Sequence, residues 1–296
     1  YRMAVKCADI GFDKIRFNPG NIGDESKVKE VVAACKRNRV PIRVGVNGGS
    51  LDKSISAYAG GAEALAQSAL KHASILEKYG FYDTVLSVKS SDVRTMAEAY
   101  EILDARCDYP LHLGVTESGT KTRGIIKSAI GIGSLLLKGI GDTIRVSLTG
   151  DPVREVEAAK LILSALNLNG DCVEIVSCPT CSRCNYDMEP IVDELEKKLS
   201  GLKKRLKIAI MGCGVTGPGE AADADIALCG GKNGKAALYV KGKVTKTVDV
   251  SDAVSEILAL TEKMSYNISK VDLTFNRALF LFRSIFYGHG LFAYVK

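Results

Sequence analysis

The chain has 296 residues, of which 46% are hydrophobic and 25% are charged, and this composition is typical of a soluble globular protein. The net charge is only +6, so charge alone gives no case for a nucleic-acid partner. No uninterrupted apolar stretch reaches the about 20 residues that cross a bilayer, and no signal peptide precedes the first motif. We therefore expect a cytoplasmic protein with neither membrane nor nucleic acid as a partner.

Strand-like apolar runs alternate with helix-period stretches over residues 1–166. The predicted strands are residues 14–17, 42–46, 84–88, 111–115 and 144–148. The predicted helices between and after them include residues 27–35, 62–78, 93–103 and 152–166. This alternation predicts parallel βα units, which close into a barrel or form an open sheet.

The pattern changes after residue 166, where residues 167–170 predict a turn. Residues 167–264 contain short strand-like segments at 173–176, 207–210 and 236–240, two cysteine-containing loops and helices at 189–204 and near 250–263, which predicts a smaller α+β domain. Residues 265–296 are rich in Phe, Leu and Tyr, and we treat them as an atypical tail.

Polar side chains lie within or just after each predicted strand of the first domain. They are Arg16, Asn18, Arg43, Asn47, Lys89, Thr116, Glu117, Arg145 and Ser147. Because the carboxyl ends of parallel strands form the active-site face, we expect these side chains to line one cavity. Four are cations and one is a carboxylate, and an unpaired buried charge costs several kcal/mol. The cavity therefore favours a phosphate or diphosphate, unless each cation pairs with a nearby acid.

The three histidines give little support for a histidine-based zinc site. His112 lies in an apolar strand, where a role in the core is favoured over a catalytic one. His72 lies on a predicted helix and is expected to be exposed.

Eight of the nine cysteines fall into two groups. Cys7, Cys35, Cys107 and Cys172 are isolated, which predicts buried thiols in a reducing compartment. Cys178 and Cys181 form a C-x-x-C motif after a predicted strand, and Cys213 begins a glycine-rich loop after another. Thiolates at this spacing select zinc or an iron–sulfur cluster.

The fourth ligand of this site has two candidates. Cys184 would complete an all-thiolate site, whereas Glu220 would be an exchangeable oxygen ligand that leaves one iron open to a substrate. The nearby stretch at residues 230–235 lacks the glycine and the hydroxyl residue that a phosphate loop needs at positions 229 and 236. We interpret it as a glycine-rich turn near the metal site.

Seven ordered motifs resemble those of the 4-hydroxy-3-methylbut-2-en-1-yl diphosphate synthase family. They occupy residues 16–23, 41–50, 86–89, 111–117, 141–147, 178–183 and 212–220, within a match over residues 1–264. The resemblance implies a partial TIM barrel followed by an iron–sulfur domain similar to those of sulfite and nitrite reductases. It implies a [4Fe-4S] cluster on Cys178, Cys181, Cys213 and Glu220, with no ligand role for Cys184.

The resemblance also implies a reaction in the methylerythritol phosphate route of isoprenoid biosynthesis. The substrate would be 2-C-methyl-D-erythritol 2,4-cyclodiphosphate, opened by a two-electron reduction with loss of water. Ferredoxin or flavodoxin would supply the electrons to a homodimer in which the cluster domain of one subunit caps the barrel of the other. Glu117 would act as the acid. The substrate would be held by Arg16, Asn18, Arg43, Asn47, Lys89, Arg145 and Ser147.

Two features depart from the family pattern. The family has further barrel strands before the position of Tyr1, so this chain alone is expected to be poorly folded or inactive. The tail after Met264 matches nothing in the family. Two other function classes stay open at this point: a non-catalytic all-cysteine cluster or zinc protein, and a phosphate-binding barrel enzyme without redox chemistry.

Overall fold

The computed structural model describes residues 1–18, 22, 24–48, 61–168, 170 and 172–264. These residues separate into two compact units, residues 1–166 and residues 167–264. The tail at residues 265–296 and parts of the motifs at 16–23 and 41–50 lie outside the described residues. No described helix combines the length and the apolar character that crossing a bilayer requires.

The first unit alternates short parallel strands with longer helices. Its strands are β1 (Ile15–Phe17), β2 (Ile42–Asn47), β3 (Thr84–Lys89), β4 (His112–Leu113) and β5 (Thr143–Ile144). Its helices are α1 (Arg2–Asp9), α2 (Glu25–Asn38), α3 (Gly61–Glu77), α4 (Val93–Arg106), α5 (Lys121–Leu136) and α6 (Val153–Ala165). The mixed α/β class predicted from the sequence is confirmed.

The strand order of this unit follows the chain. Strands β1, β2 and β3 pair in parallel, β4 pairs with β5 in parallel, and a parallel bridge between Leu86 and Leu111 joins β3 to β4. A strand order that follows the chain is typical of a barrel wall. In a doubly wound open sheet, by contrast, the strand order reverses at a switch point. Strands β2 and β3 are buried along almost their whole length, as parallel strands covered by helices are.

Three details differ from the sequence predictions for this unit. Strands β4 and β5 are shorter than predicted, because the ladder ends at the bond from Arg145 N–H to Leu113 O (2.8 Å). Helix α5 was not predicted because its glycines lower helix propensity; at Gly131 the absence of a side chain lets Met96 pack closely, since a Cβ there would lie 2.8 Å from Met96 Cε. His72 is buried rather than exposed, because α3 turns it to the same side as Ala69 and Leu76.

The second unit is built around one five-stranded sheet in the order β10-β9-β8-β7-β6. Its strands are β6 (Val173–Ser177), β7 (Leu206–Met211), β8 (Ile226–Gly230), β9 (Lys235–Val240) and β10 (Lys243–Asp249). Its helices are α7 (Glu189–Leu199), α8 (Gly217–Glu220), the 3-10 helix Val250–Asp252 and α9 (Ala253–Lys263). Strands β6, β7 and β8 are parallel, whereas β9 and β10 are antiparallel to their neighbours.

The core of the second unit lies between this sheet and its helices. Leu195 of α7 and Ile257 of α9 are fully buried together with Ile208, Ile210 and Leu228 of the sheet. Helix α7 ends five residues earlier than predicted, because Ser200 leaves the helix and Gly201 adopts a φ of 82°.

Candidate functional site

Four of the predicted polar residues share one face of the β1–β2–β3 sheet. Arg16 is the register partner of Arg43, and Asn47 is the register partner of Lys89. Alternate residues of a strand point to the same face, and neighbouring strands lie about 4.8 Å apart. The register therefore brings these side chains to one surface in the first unit.

The cations on this surface act on each other electrostatically. Burial lowers the pKa of Arg43, and the nearby Arg145 and Arg16 lower it further. Burial, followed by the charges of Arg145, Arg16 and Arg43, lowers the pKa of Lys89 to about 8. None of the four cations forms an ion pair with a carboxylate in the described part of the chain. An excess of positive charge therefore remains on this surface.

Gly45 makes room for one of these guanidinium groups. It lies between Arg43 and Asn47 on the same face of β2, and its carbonyl accepts a hydrogen bond from Arg16 Nη2 (3.0 Å). A Cβ at position 45 would lie 2.5 Å from Arg16 Nε, closer than real Cβ atoms come to another heavy atom. The observed place of Arg16 thus requires glycine here.

His112 adds a polar group that the sequence reasoning set aside. Its Nδ1 lies 2.7 Å from Thr143 Oγ1, while its buried Nε2 has no hydrogen-bond partner among the described residues. Arg145 Nε is likewise buried without a hydrogen-bond partner among the described residues. Burial first, and then Arg43, Arg145, Lys14 and Lys89, lower the pKa of His112 to about 3. The imidazole is therefore neutral at ordinary pH.

The strand register of β4 and β5 is the signal that places His112 in this group. His112 pairs with Thr143, two residues before Arg145, so the period of two places all three on one face. The apolar neighbours Leu111 and Leu113 obscured this relationship in the sequence.

The other predicted residues lie around the strand ends. Asn18 is buried, and Ser147 O accepts a hydrogen bond from the Ser118 hydroxyl. Glu117 is exposed, with a left-handed φ of 51°, and forms no ion pair with the predicted cations within the described residues. The structure therefore groups the cations and leaves Glu117 on the adjoining loop.

The cysteine loops of the second unit meet at one cavity. Cys178 follows β6 and Cys213 follows β7, and these strands are parallel neighbours, so their loops leave the same edge of the sheet. Gly212 N–H donates to Cys178 Sγ over 3.2 Å. The cavity has a volume of about 100 Å³. Its lining includes Cys178, Cys181, Arg183, Cys184, Cys213 and Glu220.

Two of these thiols have environments that favour the thiolate. Backbone N–H groups of Thr216 and Val215 lower the pKa of Cys213 to about 7. Hydrogen bonds from Arg183 lower the pKa of Cys181. The buried Cys229 differs, because burial raises its pKa to about 11. Since the thiolate is the metal-binding form, Cys181 and Cys213 are suited to be ligands.

The position of Cys184 keeps it a candidate, beside Glu220, for the fourth ligand of this site. It lines the same cavity, and its Sγ lies 3.0 Å from Tyr186 O, to which the thiol donates. Among the described residues, no three His, Cys, Asp or Glu side chains converge closely enough to hold one ion. A four-iron cluster is bulkier than one ion, so its ligands stand farther apart. Four thiols and a carboxylate around one cavity include enough donors for such a group, whether its fourth ligand is Cys184 or Glu220.

Comparisons with known proteins match both units. The family model described as the GcpE TIM-barrel domain matches residues 1–160, and the GcpE protein C-terminal domain matches residues 174–263. The boundary between these matches includes residues 166 and 167, where the two compact units divide.

Curated relatives extend the match over most of the chain. A protein of Caldanaerobacter subterraneus subsp. tengcongensis is 53% identical over 266 residues, which are 89% of this chain and 75% of that protein. A Clostridium tetani protein is 52% identical over 87% of this chain and 74% of its own length. A Geobacter sulfurreducens protein is 48% identical over 89% and 75%. All three are named 4-hydroxy-3-methylbut-2-en-1-yl diphosphate synthase (flavodoxin). The chain therefore belongs to the GcpE family.

Proposed function

We propose that this chain converts 2-C-methyl-D-erythritol 2,4-cyclodiphosphate into 4-hydroxy-3-methylbut-2-en-1-yl diphosphate. The reaction consumes two electrons and two protons, opens the ring and releases one water. The observation that carries the proposal is the group of four cations with no carboxylate ion pair in the described part of the chain. Such a surface is suited to a diphosphate, whose oxygens accept paired hydrogen bonds from guanidinium groups.

The residues of the first unit bind and orient this anion. Arg16, Arg43, Lys89 and Arg145 hold the diphosphate and stabilise its charge as the ring opens. Asn18, Asn47 and Ser147 supply neutral hydrogen bonds to the rest of the substrate. The ordering of Arg16 by Gly45 O supports this role, because a fixed guanidinium loses less freedom on binding.

Glu117 supplies a proton in this proposal. Its carboxyl group protonates the departing hydroxyl or an intermediate, so that oxygen leaves as water. Two observations support its place: its exposure, and the loop contact from Thr116 N–H to Ser90 O (3.2 Å), which ties the loop after β4 to the end of β3.

The second unit provides the electron-handling site. We assign Cys178, Cys181, Cys213 and Glu220 as the residues that hold a [4Fe-4S] cluster, which makes this unit an iron–sulfur domain. When bound, the cluster supplies electrons one at a time and a Lewis-acidic iron. Glu220 is exposed, which suits an exchangeable oxygen ligand, and the N–H groups at residues 215 and 216 favour the ligand form of Cys213.

The partners follow from the relatives and from the resemblance. Flavodoxin, which appears in the names of the relatives, is the proposed electron donor. Ferredoxin as an alternative electron donor, assembly into a homodimer and a cytoplasmic location stay predictions.

Anaerobic turnover tests the function directly. The iron-loaded chain is supplied with the cyclic diphosphate and reduced methyl viologen, and phosphorus NMR follows the substrate. We expect the two ring phosphorus signals to be replaced by those of an open diphosphate, and Arg43→Gln to raise KM by roughly tenfold or more. An iron-loaded chain that leaves the substrate unchanged contradicts the proposal and agrees with the expectation, drawn from the sequence, that this chain alone is inactive.

A further inference from the structure

The turn between β8 and β9 fixes two exposed lysines. Lys235 N–H donates to Lys232 O (3.2 Å), and the intervening Asn233 and Gly234 have φ values of 56° and 72°. Positive φ at both central residues is the signature of a tight type I′ hairpin turn. Residues 232–235, here called the basic turn, therefore hold both lysines at defined positions on the surface.

The basic turn lies beside the cysteine-lined cavity of the same unit. A Cβ at Gly230 would lie 2.3 Å from Gly212 O, and one at Gly214 would lie 3.0 Å from Gly230 O. The end of β8 thus packs directly on the loop that carries Cys213. Lys232 follows Gly230 by two residues, so their Cα atoms are at most about 7 Å apart.

The positive charge of the basic turn is largely unneutralised. Lys232 forms no ion pair within the described residues, and Lys235 Nζ lies 3.8 Å from Asp249 Oδ1 with both side chains more than half exposed. An exposed pair at that distance is weak. Arg183, which lines the cavity, is a third cation, but its side chain hydrogen-bonds Cys181 and lies near the carboxylate of Glu220. The basic turn is therefore a positive surface at the proposed cluster site, although the reaction proposed above gives it no task.

We propose that the basic turn is the docking surface for an acidic electron-carrier protein of the flavodoxin class. This inference rests on the proposed function. Opposite charges steer the encounter and set the orientation of the partner. Docking forms no covalent bond. The carrier gives up one electron at each visit, so two visits supply the electrons of one turnover, and the two protons come from solvent, one of them through Glu117.

Binding tests the surface without any need for turnover. Titration calorimetry at low ionic strength measures the affinity of purified oxidised flavodoxin for the anaerobically prepared full chain and for Lys232→Glu. The matched control is Lys243→Glu, which makes the same charge change at the other end of the β9–β10 hairpin. Lys243 pairs with Val240, five residues along β9 from Lys235, or about 17 Å away.

We expect Lys232→Glu to weaken flavodoxin binding about tenfold and Lys243→Glu to leave it unchanged. Equal weakening by both variants would mean that only net charge matters and would overturn the proposal, as would no change in Lys232→Glu. Thermal unfolding of all three proteins checks that they are equally folded, and Lys232→Ala serves as a second variant if the charge reversal disturbs the turn.

Turnover with two reductants separates docking from substrate binding. Lys232→Glu should lose most of its flavodoxin-driven rate and keep the rate driven by reduced methyl viologen, which needs no protein docking. Loss of both rates would mean that the lysine holds the diphosphate, and the docking proposal would be wrong. If the unaltered chain turns over with neither reductant, the proposed function fails, while the calorimetric result still decides the docking surface.

Discussion

Replacing Gly45 by Ala tests how the anion surface is built. The new Cβ would lie 2.5 Å from Nε and 3.0 Å from Nη2 of Arg16, so the flexible guanidinium must move away and lose its bond to Gly45 O. A displaced Arg16 no longer donates to the diphosphate. A hydrogen bond that involves a charged group is worth about 1.5–3 kcal/mol, which corresponds to roughly 10- to 150-fold in affinity.

The fold itself should tolerate this change. Position 45 is in a strand with no positive φ, and Gly→Ala at a compatible position stabilises by about 0.4–1 kcal/mol through the unfolded chain. We therefore expect normal thermal unfolding together with weaker binding of the cyclic diphosphate, measured by calorimetry and by KM.

A double-mutant cycle identifies the cause. If the methyl group introduced at position 45 acts through Arg16, adding Gly45→Ala to an Arg16→Ala chain should weaken substrate binding no further. A second, equal loss of affinity in the Arg16→Ala background would refute the reasoning, because the methyl group would then act on some other part of the site.

Three further predictions concern single side chains of the first unit. The pKa of Lys89 is about 8 in the free chain, and a bound anion should raise it, so diphosphate binding near pH 8.5 should take up protons. Calorimetry in buffers of different ionisation enthalpy measures this uptake, which Lys89→Met should abolish; binding without uptake by the unaltered chain would contradict it. Glu117→Gln should lower kcat by about a hundredfold or more at similar KM, and an unchanged kcat would remove Glu117 from the chemistry. Tyr100→Phe removes a fully buried hydroxyl that bonds the backbone of Val88 and His112, so urea unfolding should show a loss of about 1–3 kcal/mol; equal stability would contradict this.

Much of the fold was readable from local patterns, and the failures have physical causes. Strands β2 and β3 were predicted to within one residue of their observed ends, because their aliphatic and β-branched residues mark them as strands between helical stretches. Helix α5 was missed because the glycines that let it pack closely also weaken its helical signal. Strands β8 and β10 were missed as well, β10 because it is an almost fully exposed edge strand with no apolar run.

Part of the candidate site could also be predicted from the sequence, for a different reason. The cations at strand ends could be grouped from the sequence, because parallel strands bring equivalent positions together. His112 could not be assigned to that group, since only the register with Thr143 shows which way it faces. Similarly, residues 230–235 were recognised as a turn, but only the contact of Gly230 with the loop at Gly212 shows that its lysines border the cysteine-lined cavity.

Iron and acid-labile sulfide per chain after anaerobic reconstitution test the central claim most directly. The account predicts four irons and four sulfides in the unaltered chain, retained in Cys184→Ala and lost or altered in Glu220→Ala. One zinc ion in place of the cluster, or a cluster that depends on Cys184 and is indifferent to Glu220, would contradict it.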